Sequence, residues 1–171
     1  MIAGVLTVSD RSFRGEREDL SGPALVDRME QAGWSIARVE IVPDEPTEIE
    51  RILIAWADEG DLDVILTTGG TGFTPRDRTP EATLAVVERE APGLVEAMRA
   101  VSLRKTAHAM LSRAVAGIRA RTLIVNLPGS TRAAIENVEV ILPVLPHAIA
   151  LLRDDPSAEA GHSPAPPTSQ A

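Results

Sequence analysis

The residues of this chain best suited to chemistry lie in the run Thr67-Thr68-Gly69-Gly70-Thr71-Gly72 and its continuation Pro75-Arg76-Asp77-Arg78-Thr79-Pro80-Glu81. A glycine-rich turn lets backbone approach a ligand closely, and its free N–H groups can hold anionic oxygens. Hydroxyls on Thr67, Thr68 and Thr71 add donors, Arg76 and Arg78 add positive charge, and Asp77 adds a carboxylate suited to a hard cation. The combination suits a phosphorylated ligand with Mg²⁺. It is not a Walker-type loop, because Gly72 is followed by Phe73 rather than Lys, and no G-x-G-x-x-G dinucleotide fingerprint occurs. A purely structural Gly-rich connection is the competing reading.

The elements that would position these residues follow from apolar periodicity. Val64-Ile65-Leu66 reads as a buried strand leading into the glycine run. Thr79-Pro80-Glu81 reads as a helix start with Thr79 as N-cap. The first strand spans about residues 2–8, and a polar loop, residues 9–19, follows it. Ser21 is the expected cap of a helix with Leu25, Val26 and Met29 on its core face, closed by Gly33. Val39, Ile41 and Val42 mark a second strand. Thr47 and Glu50 have capping-box spacing ahead of a helix with Ile49, Ile52, Leu53 and Trp56 on one face.

The helix from Thr79 is expected to carry Leu84 and Val87 and to break at Pro92-Gly93; a further helix presents Leu94, Met98 and Val101. Residues 114–118 and 122–125 flank a link too short for a parallel crossover, so they should pair antiparallel. Asn126-Leu127-Pro128-Gly129-Ser130 then turns into a helix with Ile135, Val138, Ile141 and Leu142 inward, broken or restarted at Pro143 and Pro146. The alternation predicts an α/β three-layer sandwich around a mainly parallel sheet with one antiparallel strand. The domain should cover residues 1–153, with 154–171, rich in Pro, Ala, Ser and Gly, as a disordered tail.

In such a sheet ligands bind at the carboxyl ends of the strands. Asp10, Asp44 and Asp77 all follow predicted strands and could converge there, although each taken singly is a common turn residue. The Asn126–Ser130 turn could hold a phosphate on a helix amino terminus, or simply cap that helix through Ser130 or Thr131. Arg11, Arg14, Arg76 and Arg78 are the arginines able to gather in one cleft. His108, His147 and His162 have no metal-ligand spacing and read as surface or core residues, and Trp34 and Trp56 as packing.

Composition narrows the classes. The 171 residues carry a net charge of −8, with two Trp, two Phe and no Tyr, which argues against a nucleic-acid surface. The absence of cysteine excludes disulfides, thiolate metal sites and cysteine nucleophiles. No apolar run is long enough to span a bilayer, and the amino terminus reads as a strand rather than a signal peptide, so the expectation is a cytoplasmic protein without membrane partners.

Taken in order, Ser9-Asp10, Asp19-x-Ser21-Gly22-Pro23, Pro43-Asp44-Glu45, the Thr67–Gly72 run, Pro75-Arg76-Asp77-x-Thr79-Pro80-Glu81 and Asn126–Ser130 resemble the molybdenum-cofactor biosynthesis proteins of the MogA/MoaB type, over about residues 1–152. The resemblance implies a molybdopterin-binding fold and Mg-ATP-dependent adenylylation of molybdopterin, with ATP and molybdopterin as substrates. Asp44 and Asp77 then match the family's catalytic and metal-binding carboxylates. Ser9, Asp10, Thr68, Gly69, Gly70, Thr71, Gly72, Arg76, Pro128, Gly129 and Ser130 match its substrate- and nucleotide-binding positions. The resemblance also implies a homotrimer or a multiple of three and a molybdenum-insertion protein as a partner; the apolar helical residues Met98, Val101 and Leu103 could form an intersubunit patch or pack within the monomer. One departure is Thr131-Arg132, where many members carry proline; Arg132 could itself meet a phosphate. The alternative reading is a non-catalytic pterin-binding or scaffolding oligomer of the same pathway.

Overall fold

The computed structural model describes residues 1–156. Six strands, β1 (Ile2–Val8), β2 (Ser35–Val42), β3 (Val64–Thr68), β4 (Arg89–Glu90), β5 (Ala116–Arg119) and β6 (Thr122–Leu127), form one sheet in the order β2-β1-β3-β6-β5-β4. β1, β2, β3 and β6 are parallel neighbours, and β5 runs antiparallel to both β6 and β4. The expected sandwich with one antiparallel strand is therefore the observed fold. The link between β5 and β6 is only Ala120-Arg121, one residue shorter than expected because Arg119 pairs with Thr122, and it forces the hairpin, with Ala120 in the left-handed region (φ 50°).

The helices are α1 (Asp10–Phe13), α2 (Ser21–Gln31), α3 (Pro46–Asp58), α4 (Thr79–Val86), α5 (Pro92–Leu103), α6 (Thr131–Ile141) and α7 (Leu145–Leu152), with a 3₁₀ turn at Ala107–Leu111. They cover both faces of the sheet. Leu25, Met29, Met98, Val138 and Leu145 pack on the face that carries Val5, Leu66 and Val125. Ile49, Leu53, Trp56 and Ala82 pack on the opposite face, against Leu6, Ile65 and Ile124. Successive strand residues point to opposite faces, so the central strands need apolar side chains at nearly every position. Both tryptophans are core residues, as expected.

Several local expectations are corrected. Helix α4 begins at Thr79 with Arg78 at the cap position, and the Thr79 hydroxyl donates to Gly69 O at 2.9 Å instead of capping. Ser21 is the first residue of α2, and its cap is the Asp19 carboxylate, whose Oδ1 accepts from Ser21 N (3.0 Å) and Gly22 N (3.1 Å). The Thr47/Glu50 capping box does not form, because α3 starts two residues earlier than a Thr47 cap would place it, with Glu45 at the cap and Pro46 at its first position. Ser130 takes the cap position of α6 without a capping hydrogen bond from its side chain.

The register of α4 also differs. Val86 is buried, Leu84 is exposed, and the helix ends before Val87, where the edge strand β4 intervenes ahead of Pro92. Two exposed residues, Arg89 and Glu90, carry no apolar periodicity that could mark β4. The loop after β1 contains the short α1, for which the Ser9 hydroxyl accepts from Ser12 N at 3.2 Å. Met98 is a core residue within the monomer, which removes it from the proposed intersubunit patch. Residues 157–171 of the expected tail, His162 among them, lie outside the described residues.

Candidate active-site cleft

The parallel strands place the ends of β1, β3 and β6 side by side. The chain leaves β1 toward β2 on one side and later returns to β3 on the other, so the strand order switches direction between β1 and β3. A crevice opens at the carboxyl ends of strands at such a point. Here it is a cleft of about 420 Å³ whose lining includes Ser9, Asp19, Asp44, Thr68, Gly69, Gly70, Asp77, Gly129, Ser130 and Thr131.

Close approach of three backbones builds this cleft. Gly69, at φ +102°, lies against β1 so tightly that an added Cβ would sit 2.2 Å from Val8 O. Gly70, at φ +62°, faces Thr79 and Asp44, and a Cβ there would meet Thr79 Oγ1 at 2.2 Å. The first contact ties the turn to β1. The Thr68 hydroxyl donates to Pro128 O at 2.8 Å and ties it to the β6 turn. Thr67 is fully buried and accepts from Asn126 Nδ2 at 3.0 Å, while the same amide donates to Thr83 Oγ1 at 2.9 Å. The hydroxyls of Thr67 and Thr68 are thus structural; Thr71 alone of the three makes no such side-chain bond. Among the described residues the Gly70, Thr71 and Ser130 N–H groups have no backbone partner.

The carboxylates are brought together, but in different states. Asp10 and Asp44 clasp each other: Asp10 N donates to Asp44 Oδ2 (2.7 Å) and Asp44 N donates to Asp10 Oδ1 (3.0 Å). The Arg76 guanidinium closes on Asp10 through Nε and Nη2, both at 3.0 Å, and pairs with Glu45 at 2.8 Å. Those bonds from Arg76 hold the Asp10 carboxyl below its ordinary pKa, against a smaller opposing effect of burial. Asp44 is the reverse case. Burial pushes its pKa up, and the nearby charges of Asp10 and Asp77 add to this against the bond from Asp10 N. Asp77 Oδ2 accepts from Thr74 N at 2.7 Å, fixing a turn over residues 74–77. Asp44 and Asp77 line the cleft, whereas Asp10 and Arg76 lock each other at its side.

The opposite shifts have opposite consequences for stability. With its pKa raised in the fold, Asp44 contributes stability that is fully present below the unfolded-chain value and is lost as pH rises through the native value. Asp10, with its pKa lowered, contributes stability present above the unfolded-chain value and lost as pH falls through the native one. Asp44→Asn should therefore melt at or above the temperature of the unaltered protein once the pH passes about 4, and Asp10→Asn below it. Both gaps should shrink toward pH 2. Thermal melts between pH 2 and pH 7 measure this, and a lower melting temperature for Asp44→Asn at pH 7 would contradict it.

None of the four expected arginines lines the cleft, although Arg14 and Arg76 come together beside Asp10; the arginine in its lining is Arg17. Arg14 pairs with Glu16 (2.7 Å), Arg76 with Asp10 and Glu45, and Arg78 lies 3.9 Å from Glu81. Arg132 points to Glu136 at 2.9 Å. A sequence shows long cations but not which carboxylate each will meet. It also left out Arg113, whose Nε donates to Gly72 O at 2.7 Å and whose Nη atoms reach Glu81 and Asp77 O. Burial alone would raise the Glu81 carboxyl, but Arg113 and the helix amide bring it below its ordinary value.

A second cleft, about 290 Å³, lies on the other side of the same turns. It is lined by Thr71, Gly72 and Pro128 and by Val95, Met98, Ser102, Ser112 and Asn137 from α5, the segment before β5, and α6. Thr71, Gly72 and Pro128 thus face this cleft, while their neighbours Gly69, Gly70 and Gly129 face the acidic one. The two glycine turns are the wall between two adjoining chambers, one carboxylate-lined and one largely apolar.

The family described as "Probable molybdopterin binding domain" matches residues 4–147. The molybdopterin adenylyltransferase of Helicobacter pylori J99 is 43% identical over 151 residues, 87% of this chain and 86% of that protein. Gephyrin of Dictyostelium discoideum is 46% identical over 167 residues, which span 92% of this chain but only 23% of gephyrin. Among solved structures, the molybdopterin biosynthesis enzyme MoaB of Thermus thermophilus superposes with a TM-score of 0.85 at 55% identity, covering 91% of this chain and 98% of that one. With the family match covering residues 4–147 and a relative 43% identical over 87% of this chain and 86% of its own length, the chain belongs to the molybdopterin-binding domain family of molybdenum-cofactor biosynthesis proteins.

Proposed function

We propose that the protein is a molybdopterin adenylyltransferase that takes Mg-ATP and molybdopterin as substrates in molybdenum-cofactor biosynthesis. The observation that carries this reading is the pair of adjoining clefts divided by the Gly69–Gly72 and Pro128–Ser130 turns. A two-substrate transfer needs two chambers meeting at the reacting phosphates. The acidic cleft, with N–H groups at Gly70 and Ser130 that have no backbone partner among the described residues, suits the triphosphate. The apolar cleft, with the Asn137 amide and the Ser102 and Ser112 hydroxyls on its wall, suits a flat, polar-edged ring.

In the reaction a terminal phosphate oxygen of molybdopterin attacks the α-phosphorus of ATP. A P–O–P linkage forms, the bond from the α-phosphorus to the bridging oxygen breaks, and pyrophosphate leaves. The nucleophile arrives on a substrate, so no Ser or Cys nucleophile is required of the protein. Its residues orient two anions and hold the transferred group among backbone donors.

Asp44 and Asp77 are the residues that would hold Mg²⁺. The fit rests on their chemistry: two hard carboxylates face one cleft, and the proton affinity of Asp44 is raised by burial and neighbouring negative charge, which a cation would relieve. Among the described residues no group of three or more His, Asp or Glu side chains could hold a metal ion by itself, so a Mg²⁺ held by Asp44 and Asp77 would need substrate phosphates and water as its further ligands. Mg²⁺, when bound, neutralises charge on the phosphates and the leaving pyrophosphate. Asp10 and Arg76 keep the Asp44 loop in place, and Asp10 is assigned this bracing role rather than direct ligation.

The compartment this reading requires is one supplied with ATP, the cytoplasm. Among the described residues no single helix is long and apolar enough to cross a membrane; α6 and α7 reach that length only together and are bent by 62°. A homotrimer, or a multiple of three, and a molybdenum-insertion protein as acceptor of the product complete the proposal. Release of pyrophosphate from ATP should require both Mg²⁺ and molybdopterin. Molybdopterin binding without such release would favour the scaffolding alternative.

A further inference from the structure

The segment between Gly72 and Thr79 carries Asp77, yet none of its side chains is buried: Phe73, Thr74, Pro75, Arg76 and Arg78 are exposed, and Asp77 is half-buried. Such a segment cannot be held by core packing. Its internal bonds, Thr74 N to Asp77 Oδ2 (2.7 Å) and Asp77 N to Thr74 O (3.0 Å), shape the turn but do not anchor it to the domain. Arg76, inside the segment, ties it to Asp10 and Glu45 on one side, and Arg113, which stands before β5, holds its two ends. The Arg113 N–H donates to Thr71 O at 3.0 Å, and its Nε to Gly72 O at 2.7 Å. One Nη reaches Asp77 O, and the other pairs with Glu81 in the first turn of α4. The guanidinium thus joins both ends of the exposed segment and the helix that follows.

We propose that Arg113 is a positioning residue that sets the place of the Asp77 carboxylate in the cleft by bridging Gly72 O, Asp77 O and Glu81. The inference rests on the adenylyl-transfer reading for its chemistry, but on the fork geometry for its form. A planar guanidinium presents donors at fixed angles to three acceptors at once, and a lysine ammonium at the same place cannot span them. Charge alone is therefore not enough, and lysine should not restore what glutamine loses.

The test measures Arg113→Gln, Arg113→Lys and Glu81→Gln alone and combined with Asp77→Asn. Affinity for Mn²⁺ in the presence of ATP, without molybdopterin, is read by electron paramagnetic resonance, and Mg²⁺-dependent pyrophosphate release is read with molybdopterin present. Both Arg113 variants should weaken Mn²⁺ binding about tenfold and lower kcat with a smaller change in the KM for ATP, and Glu81→Gln about threefold. In the Asp77→Asn background each loss should shrink to under about twofold, because the residue acts through Asp77. Wild-type Mn²⁺ affinity in Arg113→Lys, or losses of equal size in both backgrounds, would overturn the proposal. Should the Arg113 variants fail to fold, Glu81→Gln decides: a loss that vanishes with Asp77→Asn supports the bridge, and an unchanged or additive effect refutes it. Mn²⁺ and ATP binding by the unaltered protein with no pyrophosphate release would sink the transfer reading and leave the Arg113 comparison intact.

Discussion

Asp44→Asn and Asp77→Asn should each lower Mg²⁺-dependent pyrophosphate release by at least about a hundredfold without unfolding the domain. The structure explains why these substitutions separate chemistry from fold. Asp44 Oδ2 accepts from Asp10 N, and Asp77 Oδ2 accepts from Thr74 N. An asparagine carbonyl can accept the same bond, so the loop conformation is kept and only the charge is lost. Alanine removes both and should cost a further 1–2 kcal/mol or so of stability. The paired measurement, turnover beside melting temperature, distinguishes a metal-directed carboxylate from a turn residue. Near-normal turnover in an asparagine variant would assign that aspartate to the turn alone.

Gly69→Ala should cost about 3–4 kcal/mol, a fall in melting temperature of roughly 10 °C, and most of the activity. Two penalties coincide at this position. The backbone is at φ +102°, which a side chain tolerates poorly, and the new Cβ would lie 2.2 Å from Val8 O, a backbone atom of β1, a strand held between β2 and β3 that cannot move aside. Gly69 N also donates to Leu127 O at 3.2 Å, and Gly69 O accepts from Thr79, so displacement would pull on β6 and α4 together. Gly93→Ala is the matched control. It lies in α5 with no heavy atom within 4 Å of the added Cβ, and it should leave stability unchanged or slightly improved. Urea denaturation of the two variants in parallel gives the comparison; a Gly69→Ala protein as stable as Gly93→Ala would show that the β1–β3 turn has room to relax.

The predicted helix starts show where local pattern reaches its limit. Thr79, Ser21 and Thr47 all stand where a cap is expected, yet none caps its helix through its side chain. A hydroxyl bonds whichever acceptor the fold brings near it. For Thr79 that is a buried carbonyl ten residues earlier, and at α2 the Asp19 carboxylate takes the capping role. The arginines follow the same logic, because Arg76 finds Asp10 across 66 positions and Arg113 finds Asp77 across 36.

Buried strands, amphipathic helices, the hairpin forced by a short link and the glycine turns are legible in the sequence because each depends on neighbours along the chain. Periodicity decides which face is inward, and short links leave few connections. Part of the cleft, Asp44, Gly69, Gly70, Asp77, Gly129 and Ser130, could be set at one edge from the sequence because residues that follow parallel strands share that edge, whereas Thr71, Gly72 and Pro128 turn to the second cleft and Asp10 and Arg76 stand beside the first. What only the tertiary structure decided is the state of each group there. It turned Asp10 into a brace and left Asp44 with its pKa raised, took up the Thr67 and Thr68 hydroxyls, and placed Arg113 behind the Asp77 loop. Those outcomes depend on distances of a few ångströms between segments far apart in the chain, and no local pattern encodes them.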